Sequence, residues 1–302
     1  MKLCLLAIPV AILGCSCAQT GGGARIDQAL AALVPADTIL LSGIRMNELR
    51  ATPLYTKMLS QQRLSELDDF AKQTNFDPRK DVNEMLLASN GVESVLLARG
   101  NFKIQAPAGM KKSIYKGATL YGKTGGAYAI LDATTAVAGV ESAVRRAIDQ
   151  KQSGRPGPAS LLDRARALPG SGQLWFVSSG WGTLPERLAG DAGNLSNMGR
   201  LLRTIENASG TTDLGSGITA TLIGQCRTDP DAKNLGDAAR GMVGLGRLSV
   251  PENQPEMLRV FDGIKVEQKQ RTVQVNVNIS SDLIDKMLKM TETRPKAAAK
   301  NR

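Results

Sequence analysis

The feature that most constrains the fold is an order of strands and helices that the sequence predicts twice. Each half starts with a proline shortly before a short apolar strand, at Pro35 and again at Pro169. Each half also ends with a strand followed by an amphipathic helix. The repeated order predicts two similar tandem units, 34–152 and 166–291, that arose by duplication.

Hydrophobic periodicity indicates that these units combine antiparallel strands with helices. Near the C-terminus, apolar residues alternate strictly with polar ones, which is typical of a strand with one buried face. The apolar members are Val273, Val275, Val277 and Ile279. A helical stripe closes the first half and consists of Val140, Ala143, Val144, Ala147 and Ile148. Together these patterns predict the α+β class, with antiparallel strands packed against helices.

Segments poor in apolar periodicity separate and flank the two units. Residues 153–165 begin with several glycines and prolines and predict a linker. Residues 19–33 include Gly21-Gly22-Gly23 and predict a flexible tether. Residues 292–302 have no apolar stripe and an excess of basic side chains, so we expect a disordered basic tail.

The first 18 residues have the organisation of a signal peptide. Lys2 supplies a positive charge, and residues 3–13 form an uncharged, mostly apolar run. A membrane-spanning helix needs about 20 apolar residues, so this run is too short to be one. Segment 1–18 therefore predicts export.

Two processing sites fit the end of this segment. Ile12-Leu13-Gly14-Cys15 resembles the signal of bacterial lipoproteins, which implies a lipid on the Cys15 thiol. Ser16-Cys17-Ala18 instead fits the small-residue rule for ordinary cleavage after Ala18. We favour lipidation at Cys15, and both alternatives remain open.

The exported start and the repeated units together resemble uncharacterised exported bacterial proteins built from duplicated α+β units. This resemblance covers most of the mature chain. It implies a place in the cell envelope, where the protein would be lipid-anchored or periplasmic. It carries no functional residue over to this chain.

The chain has no histidine, which excludes several kinds of catalytic and metal site. Neither a Ser-His-Asp or Cys-His catalytic group nor a histidine-ligated zinc can form. Of the four cysteines, only Cys226 lies beyond the N-terminal segment, so an intrachain disulfide framework is excluded. We expect Cys226 to be a buried structural thiol, and we expect no metal, no cofactor and no catalytic residue.

One segment matches a nucleotide-binding motif. Residues 117–124 fit G-x-x-x-x-G-K-[ST] with Gly117, Gly122, Lys123 and Thr124. A true P-loop lies between a buried strand and a helix, whereas β-type residues follow Thr124. The segment therefore predicts a β-meander with glycine turns. A nucleotide binder or exported enzyme that uses these four residues is the alternative hypothesis.

The net charge of +10 is spread over both halves of the chain. The absence of one concentrated basic groove argues against nucleic acid as a partner. A basic exported protein is attracted to anionic polymers or lipids of the envelope. We therefore expect a non-enzymatic binding or interaction module, in contact with the membrane through an N-terminal lipid.

Overall fold

The computed structural model describes residues 26–61, 65–103, 109–155, 157–170, 172–180 and 196–292. These residues form one twelve-stranded antiparallel sheet with helices packed on it, which confirms the predicted α+β class. The predicted signal peptide with Cys15 and the tail beyond residue 292 lie outside the described ranges.

The first half of the chain contains seven strands within its described residues. They are β1 (Leu40–Arg45), β2 (Val82–Ser89), β3 (Ser94–Gly100), β4 (Lys111–Tyr115), β5 (Ala118–Lys123), β6 (Gly126–Asp132) and β7 (Thr135–Gly139). The accompanying helices are α1 (Gln28–Ala31), α2 (Met46–Arg50), α3 (Pro53–Gln61), α4 (Ser65–Thr74), α5 (Pro78–Asp81), α6 (Glu141–Ser153) and α7 (Ala159–Arg166).

The second half contributes five strands from its described part. They are β8 (Leu174–Ser179), β9 (Ile205–Asp213), β10 (Gly217–Cys226), β11 (Ile264–Lys269) and β12 (Thr272–Ser280). Its helices are α8 (Ser196–Leu202), α9 (Asp229–Leu248), α10 (Pro255–Asp262) and α11 (Ser281–Glu292).

The two halves meet in the middle of the sheet, where β1 pairs antiparallel with β8. From this pair outward, the strand order is β1-β2-β3-β7-β6 on one side and β8-β9-β10-β12-β11 on the other. The two orders correspond strand for strand, and the first half adds β5 and β4 at its outer edge. The origin of this order by duplication remains a prediction.

The largest core lies on one face of the sheet. Here α1, α6 and α7 cover the strands, with Leu30, Val144 and Leu161 packed against Leu86 and Leu97. The stripe predicted for α6 lies in this core, since Ala143, Val144, Ala147 and Ile148 are all buried. Its first member, Val140, precedes the helix as its N-cap residue.

Two smaller cores lie on the opposite face, because side chains alternate along each strand. One contains Phe76 and Phe102, packed against strands of the first half. The other contains Leu235 of α9, packed against strands of the second half. The smaller core of the first half forms the candidate site.

The structure corrects two predicted boundaries. The predicted tether 19–33 is wrong at its C-terminal end: Asp27 caps α1, and both Leu30 and Leu33 are completely buried. The predicted linker 153–165 is wrong for a similar reason, because α7 starts at Ala159 and buries Leu161 in the main core. In both segments a few leucines supply enough apolar surface for packing.

Candidate ligand-binding site

A cavity of about 300 Å³ opens on the smaller core of the first half. Small side chains form its floor, since Ala98, Ala136 and Ala138 on β3 and β7 leave space above the sheet. Its lining consists of apolar side chains together with Tyr128 of β6. A concave apolar surface of this kind is typical of sites that bind small apolar molecules.

Three phenylalanines form one wall of the cavity. The ring of Phe76 stacks on that of Phe102 with centroids 5.3 Å apart, and Phe70 meets Phe76 edge-on at 6.5 Å. Asn75 has a φ of 53° and ends α4, so that the chain turns sharply and brings Phe76 under the helix. Rings held in this way form a wall that needs little rearrangement to accept a ligand.

Tyr128 contributes its ring to the cavity lining, and its hydroxyl is not exposed to the cavity. Its ring stacks on Tyr121 of the neighbouring strand at 5.1 Å, in a nearly parallel arrangement. Its hydroxyl is buried and has no hydrogen-bond partner among the described residues. Burial raises the pKa of Tyr128, with a smaller contribution from Tyr121, so the hydroxyl keeps its proton and remains a donor.

Charges differ between the two sides of the cavity. Beside the phenylalanine wall, Arg79 makes ion pairs of 2.8 Å with both Asp68 and Asp77, so these carboxylates are neutralised. On the side of β4 and β5, the Nζ atom of Lys112 lies 5.5 Å from the centroid of the Tyr121 ring. Lys123 is exposed on β5, and within the described residues neither lysine pairs with a carboxylate.

The P-loop-like segment forms strand and turns. Lys116 and Gly117 both have positive φ, 48° and 83°, and connect β4 to β5 as a tight hairpin turn. Gly122 and Lys123 belong to β5, and Thr124 leads through a turn into β6.

This arrangement leaves no helix N-terminus after Thr124. Instead Gly122, Lys123 and Thr124 border an open cleft of about 800 Å³ at this end of the sheet. The backbone groups that a P-loop would present to phosphate lie within or between paired strands here.

The remaining predicted site residues lie apart from the cavity. Cys226 is completely buried at the end of β10, and burial raises the pKa of its thiol, which favours the unreactive form. The described part of the chain contains no cluster of three or more potential metal ligands. In the same ranges we find no helix long and apolar enough to span a membrane.

The cavity was not predicted from the sequence. A signal for it exists: three of the five phenylalanines, Phe70, Phe76 and Phe102, lie close together in the first half. The alanine floor below them depends on the pairing of β3 with β7, which joins segments far apart in the chain. Local patterns do not specify such a pairing.

Comparisons with known proteins support the fold alone. Neither a family model nor a curated protein matches the chain. The structure is similar to that of TP0453 in its crystal form III, with a TM-score of 0.51 and 10% sequence identity over 88% of this chain and 99% of that one. Crystal form IV of TP0453 matches with a TM-score of 0.49 at the same identity, over 87% and 97% of the two chains. The chain therefore shares its overall fold with TP0453.

Proposed function

We propose that this protein is an exported, non-enzymatic binding module of the bacterial envelope, and that its cavity holds an apolar ligand. The observation that carries the proposal is the cavity itself, with its apolar lining and preformed phenylalanine wall. Its volume lies at the lower end of the range for small-molecule sites, about 300–1,000 Å³. The ligand is therefore small.

The binding role is favoured over the nucleotide-binding alternative by the structure of residues 117–124. These residues form β5 and its turns, so Lys123 and Thr124 lack the strand–loop–helix setting that phosphate binding needs. The described residues of the cavity lining present apolar surface and offer no carboxylate, thiol or accessible hydroxyl for catalysis.

The location in the envelope rests on the N-terminal sequence. Lipidation of Cys15 would hold the protein on the membrane, whereas cleavage after Ala18 would release it to the periplasm or the exterior. The basic chain and its tail would add weak attraction to an anionic polymer or lipid of the envelope, and we expect no nucleic-acid partner.

The binding proposal is tested with neutral straight-chain alcohols and isothermal titration calorimetry. Each methylene that enters the cavity contributes about 0.8 kcal/mol, so affinity should rise about fourfold per added methylene from hexanol to decanol. Replacing Ala138→Phe fills the floor and should weaken decanol binding more than about tenfold. The matched control is Thr219→Phe, at an exposed position of β10.

Two results would contradict this proposal. One is the absence of saturable binding for every alcohol. The other is an equal loss of affinity in both variants when thermal melts show that both are folded.

Anchoring is tested separately by metabolic labelling with a radioactive fatty acid in bacteria that express the chain. The wild type should incorporate the label and Cys15→Ser should not, because the thiol is the acceptor. A mature protein that begins at Gln19 by mass spectrometry would instead establish ordinary cleavage.

A further inference from the structure

We propose that the free edge of β4 binds an extended acidic segment of a partner protein, which adds to the sheet as a further antiparallel strand. This inference goes beyond the apolar cavity and does not depend on it. Three observations carry it: the unpaired backbone of β4, the exposed lysines and isoleucine of this strand, and the open cleft beside it.

Strand β4 forms one edge of the sheet, because among the described strands it pairs only with β5. A two-residue turn joins these strands, so Tyr115 and Ala118, which flank the turn, exchange backbone hydrogen bonds. Hydrogen bonding alternates along an antiparallel pair, and the N–H and C=O groups of Lys112 and Ile114 therefore point away from β5. These are the groups that an added strand would pair with.

The side chains of β4 combine an exposed apolar group with two unpaired charges. Ile114 is 81% exposed, the highest value for a large apolar side chain in the described strands, and a neighbouring strand would cover it. Lys111 and Lys112 are exposed, and in the described part of the chain neither forms an ion pair with a carboxylate. They point to opposite faces of the sheet, so each can meet one of two adjacent acidic residues of an added strand.

The cleft of about 800 Å³ lies beside this edge and has room for a side chain of the added strand. Its lining includes Leu120 of the main core, and Ser113 is opposite Leu120, so Lys111 and Ser113 point to the cleft side of the sheet. Strands β4 and β5 contain no Asp or Glu. The carboxylate of Glu141, also in the lining, accepts a hydrogen bond from Arg145 at 3.0 Å. A partner carboxylate opposite Lys111 is therefore stabilised here.

Charge argues against a second copy of this chain as the occupant. Pairing of two β4 strands would gather four unpaired lysines on two short strands, because each copy contributes Lys111 and Lys112. The other edge strand, β11, carries Lys265 and Lys269 against Glu267 and would also repel β4. Lysines on edge strands commonly prevent pairing between identical sheets, whereas a strand with two adjacent carboxylates would neutralise them. The occupant is therefore an acidic segment of a different protein.

The test uses the end-blocked peptide STVTEES and isothermal titration calorimetry on the full chain at neutral pH and low salt. In the antiparallel register its two glutamates lie opposite Lys112 and Lys111, and its valine lies opposite Ile114. Binding should be saturable and should weaken as salt is added. The neutral peptide STVTQQS should bind about three- to tenfold more weakly. The reversed peptide SEETVTS has the same charge but cannot align in this way, and it should also bind more weakly.

Two N-methylated forms of STVTEES test strand addition itself. Methylation of the valine and the first glutamate removes the two amides that would donate to β4, so affinity should fall more than about tenfold. Methylation of the two threonines, whose amides point away from β4, should have little effect. Bound peptide should also slow hydrogen exchange, measured by NMR, at the amides of Lys112 and Ile114 and leave β11 unchanged.

Two variants of the chain examine the same edge. Lys111→Gln/Lys112→Gln should weaken binding of STVTEES about three- to tenfold and leave STVTQQS unchanged. The control Lys265→Gln/Lys269→Gln removes two exposed lysines from β11, the opposite edge of the sheet, and should change neither. Ile114→Pro removes one outward amide without breaking the β4–β5 pairing, and should abolish binding while a thermal melt verifies the fold. The methylated peptides give the same test on the wild type.

Several outcomes would overturn this inference. Equal binding of the two methylated peptides would show that no strand is added. If the β11 control lowers affinity as much as the β4 variant, the attraction is a property of the whole basic surface and the assigned edge is wrong. Absence of saturable binding would exclude an acidic strand. A dimer in analytical ultracentrifugation that Ile114→Pro dissociates would show that a second copy occupies the edge instead. The apolar cavity is tested separately by Ala138→Phe.

Discussion

At the scale of single residues, the least expected feature is the environment of Glu84. This half-buried carboxyl on β2 accepts a hydrogen bond from the backbone amide of Asp27 at 3.3 Å. Burial is the largest cause that raises the pKa of Glu84, to about 7, and the charge of Asp27 adds to it. The hydrogen bond from the Asp27 amide and, more weakly, the charges of Arg45 and Arg99 lower this pKa and do not cancel the shift.

This shift predicts that Glu84 makes the fold less stable as pH rises. Because the folded-state pKa lies above the ordinary value of 4.5, its stabilising contribution is complete below about pH 4.5 and is lost as pH rises through 7. Glu84→Gln should therefore raise the free energy of unfolding at pH 8, relative to wild type, by about 1–2 kcal/mol after allowance for solvent screening.

Urea unfolding at pH 5 and pH 8 measures this effect, with the exposed Glu267→Gln on β11 as control. The difference between Glu84→Gln and wild type should be larger at pH 8 than at pH 5. An equal difference at the two pH values would show that Glu84 is not titrating in this range.

At the scale of elements, glycines in the central strands accommodate large aromatic rings. Gly43 of β1 lies opposite Trp175 of β8, and a methyl group on Gly43 would overlap the indole. Gly210 of β9 likewise lies opposite Phe176, the next residue of β8, and a methyl group on Gly210 would overlap the phenylalanine ring. Glycines in strands usually weaken a sheet. Here the aromatic side chain of the neighbouring strand occupies the space that a glycine side chain leaves empty.

We therefore predict opposite effects for two glycine-to-alanine changes in strands. Gly43→Ala should lower the free energy of unfolding by about 1–3 kcal/mol, because the indole must move out of its packed position. Gly122→Ala on β5 should be neutral or stabilising by about 0.5 kcal/mol, since the nearest atom lies 3.8 Å from the new methyl group. Denaturant titrations compare the two, and a harmless Gly43→Ala would mean that the indole packs differently.

Local sequence patterns predicted individual elements better than their packing. The alternation at 273–279 correctly indicates β12. On α9, however, Leu235 is buried whereas Met242, one more apolar residue of the same helix, is 44% exposed. The period of the apolar residues and their secondary-structure propensity predict an element. Packing partners that are distant in sequence then decide which of its residues are buried. The cavity depends on the same long-range pairing and was missed for that reason.

At the scale of the whole molecule, the two halves share one sheet. The β1–β8 pair joins them, and Trp175 and Val177 of the second half belong to the main core of the first. An ion pair between Lys57 of α3 and Asp285 of α11 adds a contact between their helices, with an Nζ–Oδ1 distance of 2.5 Å. Paired strands, a shared core and an ion pair therefore connect the two halves, whereas few contacts cross an ordinary domain boundary.

This continuity predicts a single unfolding transition for both halves. All four tyrosines lie in the first half and both tryptophans in the second, so each half has its own optical probe. Tyrosine absorbance and tryptophan fluorescence should give the same melting midpoint, because the shared sheet and core couple the halves. Midpoints that differ by several degrees would show that the halves unfold independently.

The central position of β1 also has a consequence for the chain while it is being made. One edge of β1 pairs with β2, which emerges soon afterwards, but the other edge waits for β8, which follows only after all of the first half. Until then its free amides and carbonyls form a template that any other extended segment can join, including β1 of a second nascent chain. The step most exposed to misassembly is therefore the interval before Leu174–Ser179 is released, and a pause in synthesis or translocation within that interval would promote aggregation more than a pause after it.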